Sequence, residues 1–144
     1  MILIDANLLI YAIDADSPHH SSARPWLEKV LSDTNRVGLA WVVVLAFIRI
    51  TTHPNIMRTP LTPEQALAYV ASWIERPCTK MIVPDEQHWT VLSSLLKQTG
   101  TAGNLTTDAH IAALALTQGY TVYSADNDFN RFPGINYINP LLRK

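Results

Sequence analysis

Asp5, Asp108 and Asp126 are the residues whose types and placement suggest chemistry in this 144-residue chain. Asp5 follows the apolar run Met1 to Ile4. Asp126 follows Tyr120 to Ser124, a β-branched and aromatic run that leads into Ala125-Asp126-Asn127-Asp128-Phe129. Asp108 closes Asn104-Leu105-Thr106-Thr107-Asp108, which opens a helical segment reaching Gln118 and stopped by Gly119. The first run is apolar without alternation, as in a strand covered on both faces of a parallel sheet, and the second has strand composition. Both deliver a carboxylate at the carboxyl end, the edge where open α/β sheets bind ligands. Three carboxylates brought to that edge would repel and raise one another's pKa, so such a cluster persists around a cation. All-oxygen donors select a hard ion, magnesium or manganese. A cation so held acidifies water and stabilises charge developing on a leaving oxygen. Asp5 has a second reading, as the cap of the helix that begins near Asn7.

Around these acids stand shorter polar groups. Asn7 and Ser124 could orient a carboxylate or a bound water, and Asn104 and Thr107 could contact a phosphate at the helix N-terminus. Asp128 either binds through water or caps the Asp-Phe turn. Asp14 and Asp16 lie in Asp14-Ala15-Asp16-Ser17-Pro18, which is exposed loop chemistry. His19, His20, His53, His88 and His110 show no ligand spacing, and His110 is expected on a helix surface.

The elements that must position the acids follow from pattern. Strands are expected at Met1 to Asp5, Arg36 to Ala40, Met81 to Val83, Tyr120 to Ser124 and Asn136 to Ile138. A helix after the Asp14 loop carries Trp26, Leu27, Val30 and Leu31 on its apolar face, with Pro25 starting or kinking it. Thr51 to Leu61 is an irregular connection. Thr62 caps the next helix, with Pro63 in its first turn and Gln65 three residues on, and Leu67, Val70, Ala71 and Ile74 form its buried stripe. Asp85 caps a helix whose Trp89, Leu92, Leu95 and Leu96 face the core. Thr106 or Thr107 caps the helix that carries Asp108.

Asp5-Ala6-Asn7 after an N-terminal strand, Thr107-Asp108 opening a late helix, and Ser124-x-Asp126-x-Asp128-Phe129 together resemble the PIN-domain nucleases, and most closely the VapC-type toxins of bacterial toxin-antitoxin pairs. The resemblance covers the whole chain in order. It implies an α/β, Rossmann-like three-layer sandwich with a central, mostly parallel sheet flanked by helices, in a single domain over residues 1–144. It also implies a metal-dependent endoribonuclease with Asp5, Asp108 and Asp126 as catalytic and metal-binding acids, Asp126 being preferred over Asp128 because it directly follows its strand and matches the motif. Asn7, Ser124 and Asp128 would support them. The partners implied are an RNA substrate, a VapB-like antitoxin that lays a helix across a groove and pushes a basic side chain into the acidic pocket, and a second copy in a homodimer. The family pattern also has a Glu within Trp-Val-Val-x-Leu-Glu-Phe-x-Arg-Ile. Here Trp41 to Ile50 matches it as a helix, but Ala46 stands at the Glu position. A missing carboxylate weakens metal binding, so this chain is expected to be a weakened or inactivated nuclease.

Composition narrows the alternatives. With 48% hydrophobic and 16% charged residues, a packed α/β core is expected rather than disorder. The net charge of −1 gives no global basic field, so a nucleic-acid patch must be assembled by the fold. Cys78 is the only cysteine, which excludes an intrachain disulfide and suits a reducing compartment. The Met1 to Ile13 stretch lacks a basic leader, and Leu39 to Ile48 falls short of the roughly 20 apolar residues that span a bilayer, so a cytoplasmic protein without a membrane contact is expected. A catalytically silent PIN module that binds RNA or a protein is the competing reading, with Ala46 as its mark. A phosphatase with an aspartyl nucleophile is disfavoured because its Asp-x-Asp would require an acid at Asn7.

Overall fold

A computed structural model describes residues 1–142. Five strands, β1 (Ile2–Ile4), β2 (Val37–Ala40), β3 (Thr79–Ile82), β4 (Thr121–Tyr123) and β5 (Tyr137–Ile138), form one sheet in the order β3-β2-β1-β4-β5. Every neighbouring pair is parallel. All residues of β1 and β2 are buried, so both faces of the sheet centre are covered, as parallel sheets require.

The cover comes from six helices: α1 (Ala6–Ile13), α2 (His20–Ser32), α3 (Trp41–Thr51), α4 (Pro63–Ile74), α5 (His88–Thr99) and α6 (Thr106–Gln118). Helix α1 packs on α2 and α3, and α3 on α4; α5 packs on α6. Buried apolar side chains, among them Leu3, Ile4, Leu39, Phe47, Ile111 and Phe129, join in one cluster. No described helix is long and apolar enough to cross a membrane.

Local sequence explains most boundaries. Thr62 accepts from the Gln65 amide while the Gln65 side chain accepts from the Thr62 amide, a complete capping box. Gly119 ends α6 with a φ of 76°, where a side chain would be strained. Pro25 lies inside α2 rather than at its start, where it cannot donate to the carbonyl of Ser21 one turn back.

Several expected faces are corrected. In α4 the buried residues are Ala66, Val70 and Trp73, whereas Leu67 and Ile74 are exposed. The stripe is rotated by one residue because the Trp73 ring packs edge-on against Phe47 at 4.8 Å, and the largest surface goes inside. In α5 His88 and Leu95 are buried and Trp89 is 75% exposed. Helix α3, apolar all round, nevertheless exposes Trp41 and Leu45. Asp85 accepts from the Gln87 amide in a turn ahead of α5, so the helix itself begins without a side-chain cap. Helix α6 has none either, because the 3-10 turn Gly103–Leu105 runs directly into it.

Candidate metal centre

The strand order reverses between β1 and β4, since β2 and β3 lie to one side of β1 and β4 and β5 to the other. The crevice at such a reversal is where α/β sheets place their ligands. Ile4 pairs with Tyr123, and the Asp5 amide donates to the Tyr123 carbonyl at 3.0 Å. Asp5 and Ser124 thus leave the sheet side by side.

Asp5 is 8% exposed. Its Oδ1 accepts from the Ala6 amide at 2.8 Å, capping α1, and its Oδ2 accepts from Ser124 Oγ at 2.7 Å and Asn7 Nδ2 at 3.4 Å. Asp5 is thus the cap of α1, and it stands at the end of β1 beside Ser124. Ser124 accepts from Asn7 Nδ2 at 3.1 Å and from the Asp126 amide at 3.0 Å, and Asn7 Oδ1 accepts from the Ala125 amide at 3.2 Å. The Asp126 carboxylate accepts from the Asp128 amide at 2.9 Å and caps the short 3-10 helix Asn127–Arg131. The turn cap is thus Asp126, and the Asp128 carboxylate is left to the crevice.

Asp108, Asp126 and Asp128 each present a carboxylate oxygen within 4.8 Å of the others. Oxygens around one octahedral ion at ~2.1 Å lie about 3 to 4.2 Å apart, so a hard cation fits this group. Asp5 is not a member of the tight group; it is buried, with its two oxygens accepting from Ala6, Asn7 and Ser124. Its charge still reaches the others. Burial, and then the negative charges of Asp5, Asp126 and Asp128 together with a hydrogen bond to Asp126, push the Asp108 carboxyl from 3.8 to about 7. Burial raises Asp5 as well, against the Ser124 and Ala6 hydrogen bonds, and Asp126 adds to the rise. The donor chemistry is that of a site short of positive charge.

Ala46 is half-buried and opens, with Val42, Leu45 and Arg49 of α3, onto a depression of about 420 Å³ that it shares with Thr107. Position 46 thus shares this depression with Thr107, the residue before Asp108 at the start of α6. Asn104 and Thr107 are exposed there.

Two neighbours escaped the sequence reading. His110 is half-buried rather than freely exposed: its Nδ1 lies 2.8 Å from Nε2 of the buried His88, with the rings edge to face at 4.7 Å. The Tyr137 hydroxyl is buried without a hydrogen-bond partner among the described residues, and burial followed by Asp126 and Asp5 raises its pKa. Neither belongs to a local motif; the histidines are 22 positions apart and meet only through α5 and α6. Asp14 and Asp16 form an exposed turn apart from the cluster.

A family model for the PIN domain matches residues 2–135. The chain is 40% identical over 140 residues to Ribonuclease VapC37 of Mycobacterium tuberculosis, covering 97% of each protein. It is 33% identical over 141 residues to Ribonuclease VapC33 of the same organism, covering 98% of this chain and 99% of the relative. Among solved structures, VapBC2 of Rickettsia felis bound to a promoter DNA fragment shares the fold with a TM-score of 0.70, at 20% identity over 96% of this chain and 98% of that one. VapC20 of M. tuberculosis, a toxin that cleaves the sarcin-ricin loop, aligns with a TM-score of 0.66, at 16% identity over 94% of this chain and 99% of that one. At those identities the two structures speak for the fold alone.

Proposed function

This chain belongs to the PIN-domain family and, within it, to the VapC ribonuclease toxins of VapBC toxin-antitoxin systems, and from that membership we propose that it is a divalent-metal-dependent endoribonuclease held in check by an antitoxin. The observation that carries the metal reading is the convergence of Asp108, Asp126 and Asp128 at the β1/β4 crevice, with Asp5 close by.

The residues that would hold magnesium or manganese are Asp108, Asp126 and Asp128, together with Asp5. When bound, the cation supplies charge neutralisation and makes water acidic enough to attack a phosphodiester near neutral pH. The protein's own part is positional. Ser124 and Asn7 fix Asp5 and the Ala125-Asp126 backbone, so the acids stay in place although they repel. Asp5, Asp108 and Asp126 are the acids whose loss should abolish cleavage.

Ala46 weakens this site. A methyl in place of a carboxylate removes one charge and up to two oxygen donors from the wall beside Asp108, and a second ion suffers most. The same observation supports the alternative, a silent PIN module that binds RNA or protein. The family relation supports an antitoxin as the partner that holds the nuclease in check. The family relation also supports a homodimer.

The deciding experiment compares cleavage of a broad RNA pool by this chain and by Ala46→Glu in magnesium or manganese. Metal-dependent cutting by the substituted protein, with little or none by this one, is expected. Cutting that survives Asp126→Asn in the Ala46→Glu protein would refute the metal assignment.

A further inference from the structure

We infer that the depression between α3 and the start of α6 is a nucleotide subsite, in which Arg49 takes the phosphate adjoining the scissile one and Val42, Leu45 and Ala46 receive its base. The inference rests on the ribonuclease reading and deepens it by naming the residues that hold the substrate strand.

Position comes first. Thr107 borders the depression and is followed on α6 by Asp108, so the depression lies next to the carboxylate cluster. Charge comes second. The acids repel a phosphodiester except where a cation intervenes, and the chain has no net positive charge to steer one. A cationic side chain next to the crevice is therefore required, and Arg49 lines the depression. The ion pair present among the described residues is Arg24–Glu28, so no carboxylate neutralises the Arg49 guanidinium. Its planar fork suits two phosphate oxygens at once.

The third argument is shape. A depression of about 420 Å³ lies within the range of about 300–1,000 Å³ typical of small-molecule sites. Val42, Leu45 and Ala46 give it an aliphatic wall, and Leu45, 61% exposed, is otherwise an uncovered apolar side chain. A base can lie against such a wall while its phosphate stays with Arg49. An aromatic ring at 46 would fill this volume, whereas a Glu there is expected to turn its carboxylate toward Asp108 and leave the depression open.

The test is binding, read separately from cleavage. A fluorescently labelled, random-sequence single-stranded RNA is titrated with the protein in calcium, followed by anisotropy. Arg49→Ala should weaken binding about tenfold or more, the loss expected for a charge-assisted contact. Arg49→Lys should recover part of it, Ala46→Phe should weaken binding by filling the depression, and Lys29→Ala on α2 should change nothing. If Arg49→Ala and Ala46→Phe bind RNA as the parent does while Ala46→Glu cleaves, the subsite is overturned and the ribonuclease reading stands. If binding depends on Arg49 while Ala46→Glu cuts nothing, the ribonuclease reading fails and the depression remains an RNA site. If the parent binds no RNA, and light scattering shows a dimer that Leu45→Glu dissociates, the face joins two copies and the inference is overturned.

Discussion

The Ser124 hydroxyl donates to Asp5 Oδ2 at 2.7 Å while accepting from Asn7 and from the Asp126 amide, so one buried oxygen ties the ends of β1 and β4 together. Removing it strands three partners. Ser124→Ala is expected to cost about 1–3 kcal/mol in urea unfolding, the penalty for unsatisfied buried polar groups. It should also weaken manganese binding, because Asp126 loses the contact that orients its backbone. A loss below about 0.5 kcal/mol, the size of an ordinary surface substitution, would show that the network is dispensable.

Asp108 gives the metal-free protein a distinctive pH response. Its carboxyl lies at about 7 in the fold against 3.8 as a free group, so folding favours the protonated form. Its contribution is fully present below about pH 4 and is lost as pH rises through about 7. Metal-free protein should therefore lose Tm between pH 5 and 8, and added manganese should restore most of it at pH 8. Asp108→Asn should flatten the decline and cancel the manganese effect. A Tm that rises monotonically over that range in the Asp108 protein, with or without metal, would count against the crowded cluster.

The ends of strands were legible in the sequence because an apolar run followed by an acid has few other meanings. Asp5, Asp108 and Asp126 could thus be gathered at one sheet edge before any coordinates. Helix faces were less so. In α4, Leu67, Val70, Ala71 and Ile74 make as regular a stripe as Ala66, Val70 and Trp73, and what selects the second is the distant ring of Phe47. In α5, Trp89 outranks His88 on any hydrophobicity scale. Yet His88 goes inside because His110 waits there to pair with it, a partner 22 residues away that no periodicity reveals. That Asp128 stands close to Asp108 and Asp126 was equally hidden, because it depends on the turn that Asp126 caps.

That histidine pair titrates with the opposite sign to Asp108. Burial, in the first place, holds both imidazoles below the ordinary 6.5; Asp85 opposes this at His88, while His88 adds to it at His110. The neutral forms belong to the fold, so their stabilisation is present above about pH 6.5 and disappears as pH falls through it. In an Asp108→Asn background, where the carboxylate slope is gone, Tm should fall from pH 7 to 5. Adding His88→Phe should reduce that fall, since it removes one buried base and relieves the other. An unchanged slope would mean that the pair is already solvated or charged.

Of the five glycines, Gly38 is the one where an added side chain would be most crowded. A Cβ there would meet Ile82 Cγ1 at 2.8 Å and Tyr120 Cε1 at 2.9 Å, too close for either without movement. Both are anchored: Ile82 ends β3 beside Ala40, and Tyr120 precedes β4 under the same face. Gly38→Ala should cost about 1–3 kcal/mol by overpacking, read as a lower urea midpoint with an unchanged slope. Since Ile82 takes part of the strain, Ile82→Ala in the same protein should cost less than in the parent. Simple additivity of the two losses would show that β2 shifts away from Ile82 instead of pressing on it. Because β2 leads directly into α3, such a shift would carry Ala46 and Arg49 with it, and manganese affinity measured on Gly38→Ala would report whether the metal centre feels the sheet beneath it.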